Sequence, residues 1–237
     1  RREHGPRRRF GGVGQSENPG RFGVAERKTH AGVGDDGAQR RTDTRGPHVQ
    51  AAARRDEHLV HRGPGAIGLR QYHARLEAVL CGPAVTVRVR PGDNLMIHKA
   101  LMMVQPGDVL VIDGGGDVSQ ALVGGLMRTT CLARGLGGLV IDGAIRDLCE
   151  WAQDGMPIFA RGHTHRGPSK DGPGEINVPV ACAGLAVLPG DLIVGDADGV
   201  IAVPAAEAAE VLRRSQAHLA REAVIRASLQ GRGALIH

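Results

Sequence analysis

Two segments, Leu110-Val-Ile-Asp-Gly114 with Asp117 close behind and Leu139-Val-Ile-Asp-Gly143 with Arg146 and Asp147 close behind, decide how this chain folds. They lie 29 residues apart. Each is a short, β-branched apolar run stopped by Asp-Gly, the pattern of a strand buried on both faces. Between them, Leu126 to Arg134 reads as a helix ended by Gly135. A strand, a helix and a strand in that order predict a β-α-β unit, its strands parallel and joined by a right-handed crossover. Their carboxyl ends then share one edge of the sheet, which is where open α/β sheets place ligands. Gly114–Asp117 and Gly143–Asp147 are therefore expected beside each other at a candidate site.

Working outward, Pro83-Ala-Val-Thr-Val-Arg-Val-Arg90 alternates apolar and polar residues and ends in Pro91-Gly92-Asp93, a strand followed by a turn. Asp93 opens a short helix through Val104, and Pro106-Gly107-Asp108 leads into the first of the two deciding strands. Pro189-Gly190-Asp191 precedes Leu192-Ile-Val-Gly195 in the same way. Pro157–Ala160 reads as a short strand. Glu175–Ala181, Leu185–Leu188, Leu192–Val194 and Val200–Val203 form a run of four more, with Asp196, Asp198 and Gly199 as a hairpin turn. From Pro204 a long, partly amphipathic helix runs toward Leu229, suited to packing against a neighbouring subunit. The expected fold class is α/β, a layered mixed domain over residues 76–237.

Residues 1–75 differ in kind. They hold sixteen Lys/Arg against eight Asp/Glu, whereas residues 76–237 hold fourteen against seventeen, so the net charge of +5 belongs to the first third. From Arg1 to Glu57 the large aliphatic, Met and Phe residues are Phe10, Val13, Phe22, Val24, Val33 and Val49. Six such residues do not offset the ordering entropy of the segment. It is expected to be a disordered or irregular extension, either solvated or the product of a shifted start or reading frame. An arginine-rich arm for nucleic acid is the lesser reading, because no aromatics are interleaved and acids are scattered among the bases. No apolar run approaches the roughly 18–20 residues of a membrane span. Cys81, Cys131, Cys149 and Cys182 stand without C-x-x-C spacing; they read as core fillers in a reducing cytoplasm, not as zinc ligands or a disulfide framework.

The chemistry concentrates in Gly124-Gly125-Leu126-Met127 and Arg146-Asp147-Leu-Cys-Glu150, with twenty residues between Gly125 and Arg146. A glycine pair at a helix entrance exposes the amides of Leu126 and Met127 to an anion, which suits a carboxylate. Arg146 can grip the same small acid in bidentate fashion. Asp147 and Glu150, three apart, can hold a hard divalent ion directly or through water. An arginine for an α-keto acid and a carboxylate for Mg²⁺ or Mn²⁺ are the parts needed to stabilise an enolate.

On these residues, together with Gly82-Pro-Ala-Val-Thr-Val, Pro106-Gly-Asp-Val-Leu-Val-Ile-Asp-Gly-Gly-Gly and Gly190-Asp-Leu-Ile-Val-Gly-Asp-Ala-Asp-Gly-Val, the stretch from about Gly82 to Pro204 resembles the ribonuclease E activity regulator A-like family. That family includes the 4-hydroxy-4-methyl-2-oxoglutarate aldolases and was formerly described as dimethylmenaquinone methyltransferase. Its aldolase signature of a Gly, twenty residues, Arg-Asp, two residues and an acid is met at every position. The resemblance implies a β/β/α sandwich like the phosphohistidine swivelling domain, assembled as a homotrimer or homohexamer with sites at subunit interfaces. It implies a metal-dependent, class II pyruvate aldolase that also decarboxylates oxaloacetate. Asp147 would be the metal ligand, Arg146 the contact to keto and carboxylate oxygens, Gly125, Leu126 and Met127 the substrate-binding turn, and Glu150 a partner for metal-bound water. Members usually open with a helix of the type Thr-Ala-Thr-Val-Ser-Asp-Ala-Leu, which residues 1–75 lack.

Other readings weigh less. The run after Asp113 fails the dinucleotide frame, since Ser119 stands where the last glycine is needed; a methyl-donor loop is missing as well. His163 and His165 sit among Gly162, Gly167 and Pro168 and read as loop residues. The second function class is a non-catalytic regulator of ribonuclease E that acts by protein binding.

Overall fold

The computed structural model describes residues 65–233, apart from 74, 76 and 154. The expectations for residues 1–57 lie outside the described residues. The described region opens with β1 (Arg70–Gln71) and the long β2 (Leu80–Val89), then α1 (Leu95–Leu101), β3 (Val109–Asp113), β4 (Ala121–Val123) and α2 (Gly125–Ala133). It continues through β5 (Gly138–Ile145), α3 (Leu148–Trp151), β6 (Ile158–His163), β7 (Gly174–Ile176), β8 (Val180–Cys182), β9 (Leu185–Val187), β10 (Leu192–Asp196), β11 (Gly199–Val203) and α4 (Ala208–Gly233). Residues 65–73, counted with the extension in the sequence reading, belong to the packed region: β1 pairs with β6, and the Ala66 and Ile67 amides donate to Val200 and Ala183.

The two deciding segments are parallel neighbours. Leu110 lies opposite Leu139, Ile112 opposite Ile141 and Asp113 opposite Asp142, so the 29-residue repeat is the register itself. The main sheet runs β1-β6-β5-β3-β2-β10-β11, with β4 added on β5 and β7 on β2. Alternate residues of β3 and β5 enter different cores. Leu110, Ile112, Leu139 and Ile141 pack with Ile97 of α1, Met127 and Cys131 of α2 and Trp151 of α3. Val109, Val111 and Val140 pack with Val180, Leu185 and Val187 of the β8–β9 hairpin and Ile193 of β10. Helices cover one face and strands the other, which is the layered α/β arrangement. Each fully buried aliphatic contributes about 1.5–3 kcal/mol.

Three elements depart from expectation. β4, three residues long, is an extra strand that falls between the deciding pair in the chain and pairs with β5 past the end of β3. The expected strand Glu175–Ala181 is two, β7 and β8, because Asn177 turns the chain at φ 57°. His163 is the last residue of β6 instead of a loop residue. The Pro-Gly-Asp turns form as read: Gly92, Gly107 and Gly190 have φ of 72°, 86° and 88°.

His73, 5 % exposed, accepts the Ile158 amide on Nδ1 at 3.0 Å and so ties the start of the described region to β6. Burial holds its pKa below the ordinary 6.5. The folded chain therefore disfavours the proton, and the stability gained from neutral His73 is complete above pH 6.5 and lost as pH falls toward the lowered value. His98 is lowered in the same direction. Thermal melts from pH 7.5 to 5 should show stability falling with acid, and His73→Asn should flatten part of that slope; an unchanged slope would remove His73 from the effect.

Candidate active site

The site is built where β5 ends. The Arg146 amide donates to Val123 O at the end of β4 (3.0 Å), and the buried Trp151 donates its indole N–H to Arg146 O (2.9 Å). The backbone of Arg146 is thus clamped from both sides while its side chain stays 41 % exposed. Asp147 follows at φ 61°, ψ 45°, the left-handed region that is rare outside glycine and asparagine and is maintained at a cost of about 1 kcal/mol. That turn aims the Asp147 carboxylate back at α2: Oδ2 accepts the Gly125 amide at 2.8 Å and lies 3.6 Å from Arg146 Nε.

The glycine pair has a steric reason. A Cβ on Gly124 would lie 2.5 Å from Asp147 Oδ2 and 2.8 Å from Arg146 Nε, and one on Gly125 would collide with the Glu150 carboxylate. Gly124, Gly125, Arg146, Asp147 and Glu150 therefore converge, as the spacing implied. The helix-entrance amides are less free than expected. Met127 N–H donates to Gly124 O at 3.0 Å and Gly125 N–H is taken by Asp147, because the first turn of α2 closes on itself and on the carboxylate. Leu126 N–H, on a residue 87 % exposed, has no hydrogen-bond partner among the described residues.

The Gly114–Asp117 turn sits beside Gly143 through the Gly116 amide, which donates to Asp142 O at 3.1 Å. No hydrogen bond or ion pair among the described residues joins it to Arg146 or Asp147. Asp117 instead bonds its own Ser119, and the buried Asp142 accepts from Arg161 Nε and from the Ala183 amide, holding the β8–β9 hairpin to the sheet. One wall of the site carries no sequence signal. A Cβ on Gly167 would lie 3.2 Å from Arg146 Nη1, which places the loop after β6 against the guanidinium.

The donor set fits a hard divalent ion. Asp147 leaves Oδ1 without a donor among the described residues, and the Glu150 carboxylate lies over the same glycine. Among the described residues no three His, Cys, Asp or Glu gather into a cage. One or two carboxylates with water and substrate completing the shell is how Mg²⁺ is usually held.

Fold and site together define a mixed α/β protein with an arginine–carboxylate site at the carboxyl ends of the parallel strands β4 and β5 of a mixed sheet. The chain belongs to the RraA-like family, Aldolase/RraA, whose model matches residues 56–202. A protein of Halalkalibacterium halodurans, provisionally named 4-hydroxy-4-methyl-2-oxoglutarate aldolase, is 46 % identical over 135 residues, 57 % of this chain and 64 % of that protein. The chain thus spans a little under two thirds of that relative's length. The 4-hydroxy-4-methyl-2-oxoglutarate aldolase of Thermus thermophilus is 35 % identical over 127 residues, 54 % of this chain and 77 % of that one. Among solved structures, a Streptomyces coelicolor protein described as an unusual member of the RNase ES inhibitor RraA family superposes with a TM-score of 0.64 at 31 % identity, over 83 % of this chain and 99 % of that one. No helix among the described residues is long and apolar enough to cross a membrane.

Proposed function

We propose that the chain is a divalent-metal-dependent lyase that cleaves a C–C bond of a short 2-oxo acid to give pyruvate, with oxaloacetate decarboxylation as a companion activity. The observation that carries this reading is the clamped Arg146 beside an αL Asp147 whose carboxylate is turned onto Gly125. The aldolase names of two relatives support it. Arg146 binds the carboxylate and keto oxygens of the substrate through its planar fork. As the C–C bond breaks, its electron pair moves to the keto oxygen, and the guanidinium neutralises the enolate charge that develops there. For oxaloacetate the leaving group is CO₂ and C3 takes a proton from water to give pyruvate; for a 4-hydroxy-2-oxo acid the C4 hydroxyl gives up its proton as the C3–C4 bond breaks, so that the second fragment leaves as a carbonyl compound. Asp147 would hold Mg²⁺ or Mn²⁺, which when bound supplies Lewis acidity at the keto oxygen. Glu150 is the neighbouring group placed to hold a proton. Leu126, exposed beside the site, and Val224, Ile225 and Leu229, exposed on α4, fit a site completed by association of chains as a trimer or hexamer in the cytoplasm.

A regulator of an RNase acting by protein binding is the second reading, favoured by the Streptomyces neighbour. Pyruvate release from oxaloacetate should depend on added Mg²⁺ or Mn²⁺ and disappear with EDTA, in a species that light scattering finds to be a multiple of the chain. A preparation with no metal-dependent release on oxaloacetate or 4-hydroxy-4-methyl-2-oxoglutarate would favour the regulator.

A further inference from the structure

The three Pro-Gly-Asp turns share one backbone geometry, with the Asp amide donating to the carbonyl three residues before it: Asp93 to Arg90, Asp108 to Gln105 and Asp191 to Leu188. In two of them the carboxylate holds its own turn, since Asp108 Oδ2 accepts the Gln105 amide and Asp191 Oδ2 the Leu188 amide, each at 2.8 Å. Asp93 does something else. Its Oδ1 accepts Leu95 N–H (3.0 Å), while Oδ2 leaves the turn and receives Ser169 Oγ (2.8 Å), Asp171 N–H (2.6 Å) and Gly172 N–H (3.0 Å), with Arg90 Nη2 at 3.4 Å. Ser169, Asp171 and Gly172 belong to the loop that carries Gly167. The next residue works on the opposite wall. Asn94, 3 % exposed, makes no cap bond to α1; its Nδ2 donates to Leu122 O (3.0 Å) and reaches Met127 Sδ (3.4 Å) on either side of the Gly124–Gly125 entrance.

The loop from Thr164 to Gly172 is tied at several points: Thr164 N–H to Ile145 O (3.0 Å), Ala121 N–H to Arg166 O (2.8 Å) and Gln120 Nε2 to Gly167 O (3.2 Å). Its far end is paired to the 92–94 backbone, Ser169 N–H to Gly92 O (2.8 Å) and Asn94 N–H to Ser169 O (3.0 Å), and the Asp93 carboxylate adds the side-chain ties. Burial alone would raise that carboxyl, but the hydrogen bonds outweigh burial and bring it down to about 2, so it stays ionised. An ionised acceptor with one protonated hydroxyl and two backbone amides aimed at it fixes a loop far more firmly than a cap of a short helix requires.

We propose that Asp93 and Asn94 are positioning residues for Arg146, Asp93 by fixing the 164–172 loop whose Gly167 walls the guanidinium, and Asn94 by fixing the β4–α2 entrance on the other side. The inference rests on Arg146 being the substrate contact of the proposed lyase. Gly167 is the cleanest probe, because its backbone is not left-handed and an alanine adds one methyl group 3.2 Å from Nη1.

The test compares wild type, Asp93→Asn, Asn94→Ala and Gly167→Ala by phenylglyoxal labelling with peptide mapping, with Arg213 as internal reference, and by oxaloacetate kinetics and melts. Labelling of Arg146 should become several-fold faster in Asp93→Asn and change in Gly167→Ala, with Arg213 constant. kcat/KM should fall about 10–100-fold in both, the scale of a sub-ångström to 1 Å misplacement, with Gly167→Ala melting as wild type. Arg146 labelling at the wild-type rate in Gly167→Ala and in whichever of the other two folds would overturn the proposal, as would a lowered melting temperature with unaltered kinetics. The labelling decides the positioning claim even if no protein turns over oxaloacetate, an outcome that would sink the lyase reading alone.

Discussion

Arg146→Lys is expected to lose about 10²–10³-fold in kcat, nearly as much as Arg146→Ala, the scale of removing one donor from an oxyanion site. Lysine keeps the charge but is a point donor on a flexible stem, so it does not span the carboxylate and keto oxygens of an α-keto acid in one plane. If Arg146 only anchors the carboxylate, KM rises and kcat holds. The ion pair with Asp147 offers a third pattern, in which lysine is nearly neutral and alanine lowers stability without touching turnover selectively. That pattern is weak on geometry: the pair is long at 3.6 Å and both side chains are 41 % exposed, a class of contact worth about 0–1 kcal/mol. The clamps on Arg146 act on its backbone, through Val123 O and Trp151, so the substitution leaves the fold's own bonds in place. Steady-state decarboxylation with thermal melts separates the three, and a fully active Arg146→Lys protein would end the bidentate-enolate proposal.

What the sequence made legible follows from where the physics is local. β3 and β5 are buried on both faces, so each is an unbroken apolar run. Two such runs ending in Asp-Gly mark two parallel strands with a shared carboxyl edge, and the structure adds that they are direct neighbours in register, Asp113 against Asp142. The Gly125, Arg146, Asp147 and Glu150 constellation was legible for a related reason: a left-handed Asp after a strand and a side-chain-free helix entrance demand fixed residue types at fixed spacing. β4 was not legible, since three residues are too few for any period, and its partner is Ala144–Ile145, beyond the point where β3 has stopped. The engagement of the Met127 amide is not legible either, because its acceptor, Gly124 O, is a backbone group that no sequence pattern marks. Gly167 is not legible, because its contact with Arg146 is made through space across a segment without periodicity, tied to a turn more than seventy residues earlier.

Asp147→Asn should abolish metal-dependent turnover and weaken Mn²⁺ binding by about a hundredfold or more, beyond the 10–100-fold that outer-shell changes alone produce. The choice of asparagine isolates charge from backbone. Asparagine tolerates φ 61°, ψ 45° as well as aspartate does, whereas alanine would add about 1–2 kcal/mol of left-handed strain and confuse a lost ligand with a lost turn. The amide oxygen can still accept the Gly125 N–H, so the α2 entrance should persist and the melting temperature should move little. What disappears is the anionic oxygen that a hard cation requires, and the NH₂ that takes the place of Oδ1 is a donor with no lone pair to offer the ion. Titration of Mn²⁺ by calorimetry or by its spin resonance signal reads the loss without relying on activity. Unchanged Mn²⁺ affinity in a folded Asp147→Asn protein would take Asp147 out of the metal site. With Asp142 sealed against Arg161 and the Ala183 amide, Glu150 would then be the remaining carboxylate at Gly125 able to hold the ion, and Glu150→Gln the variant that must lose it.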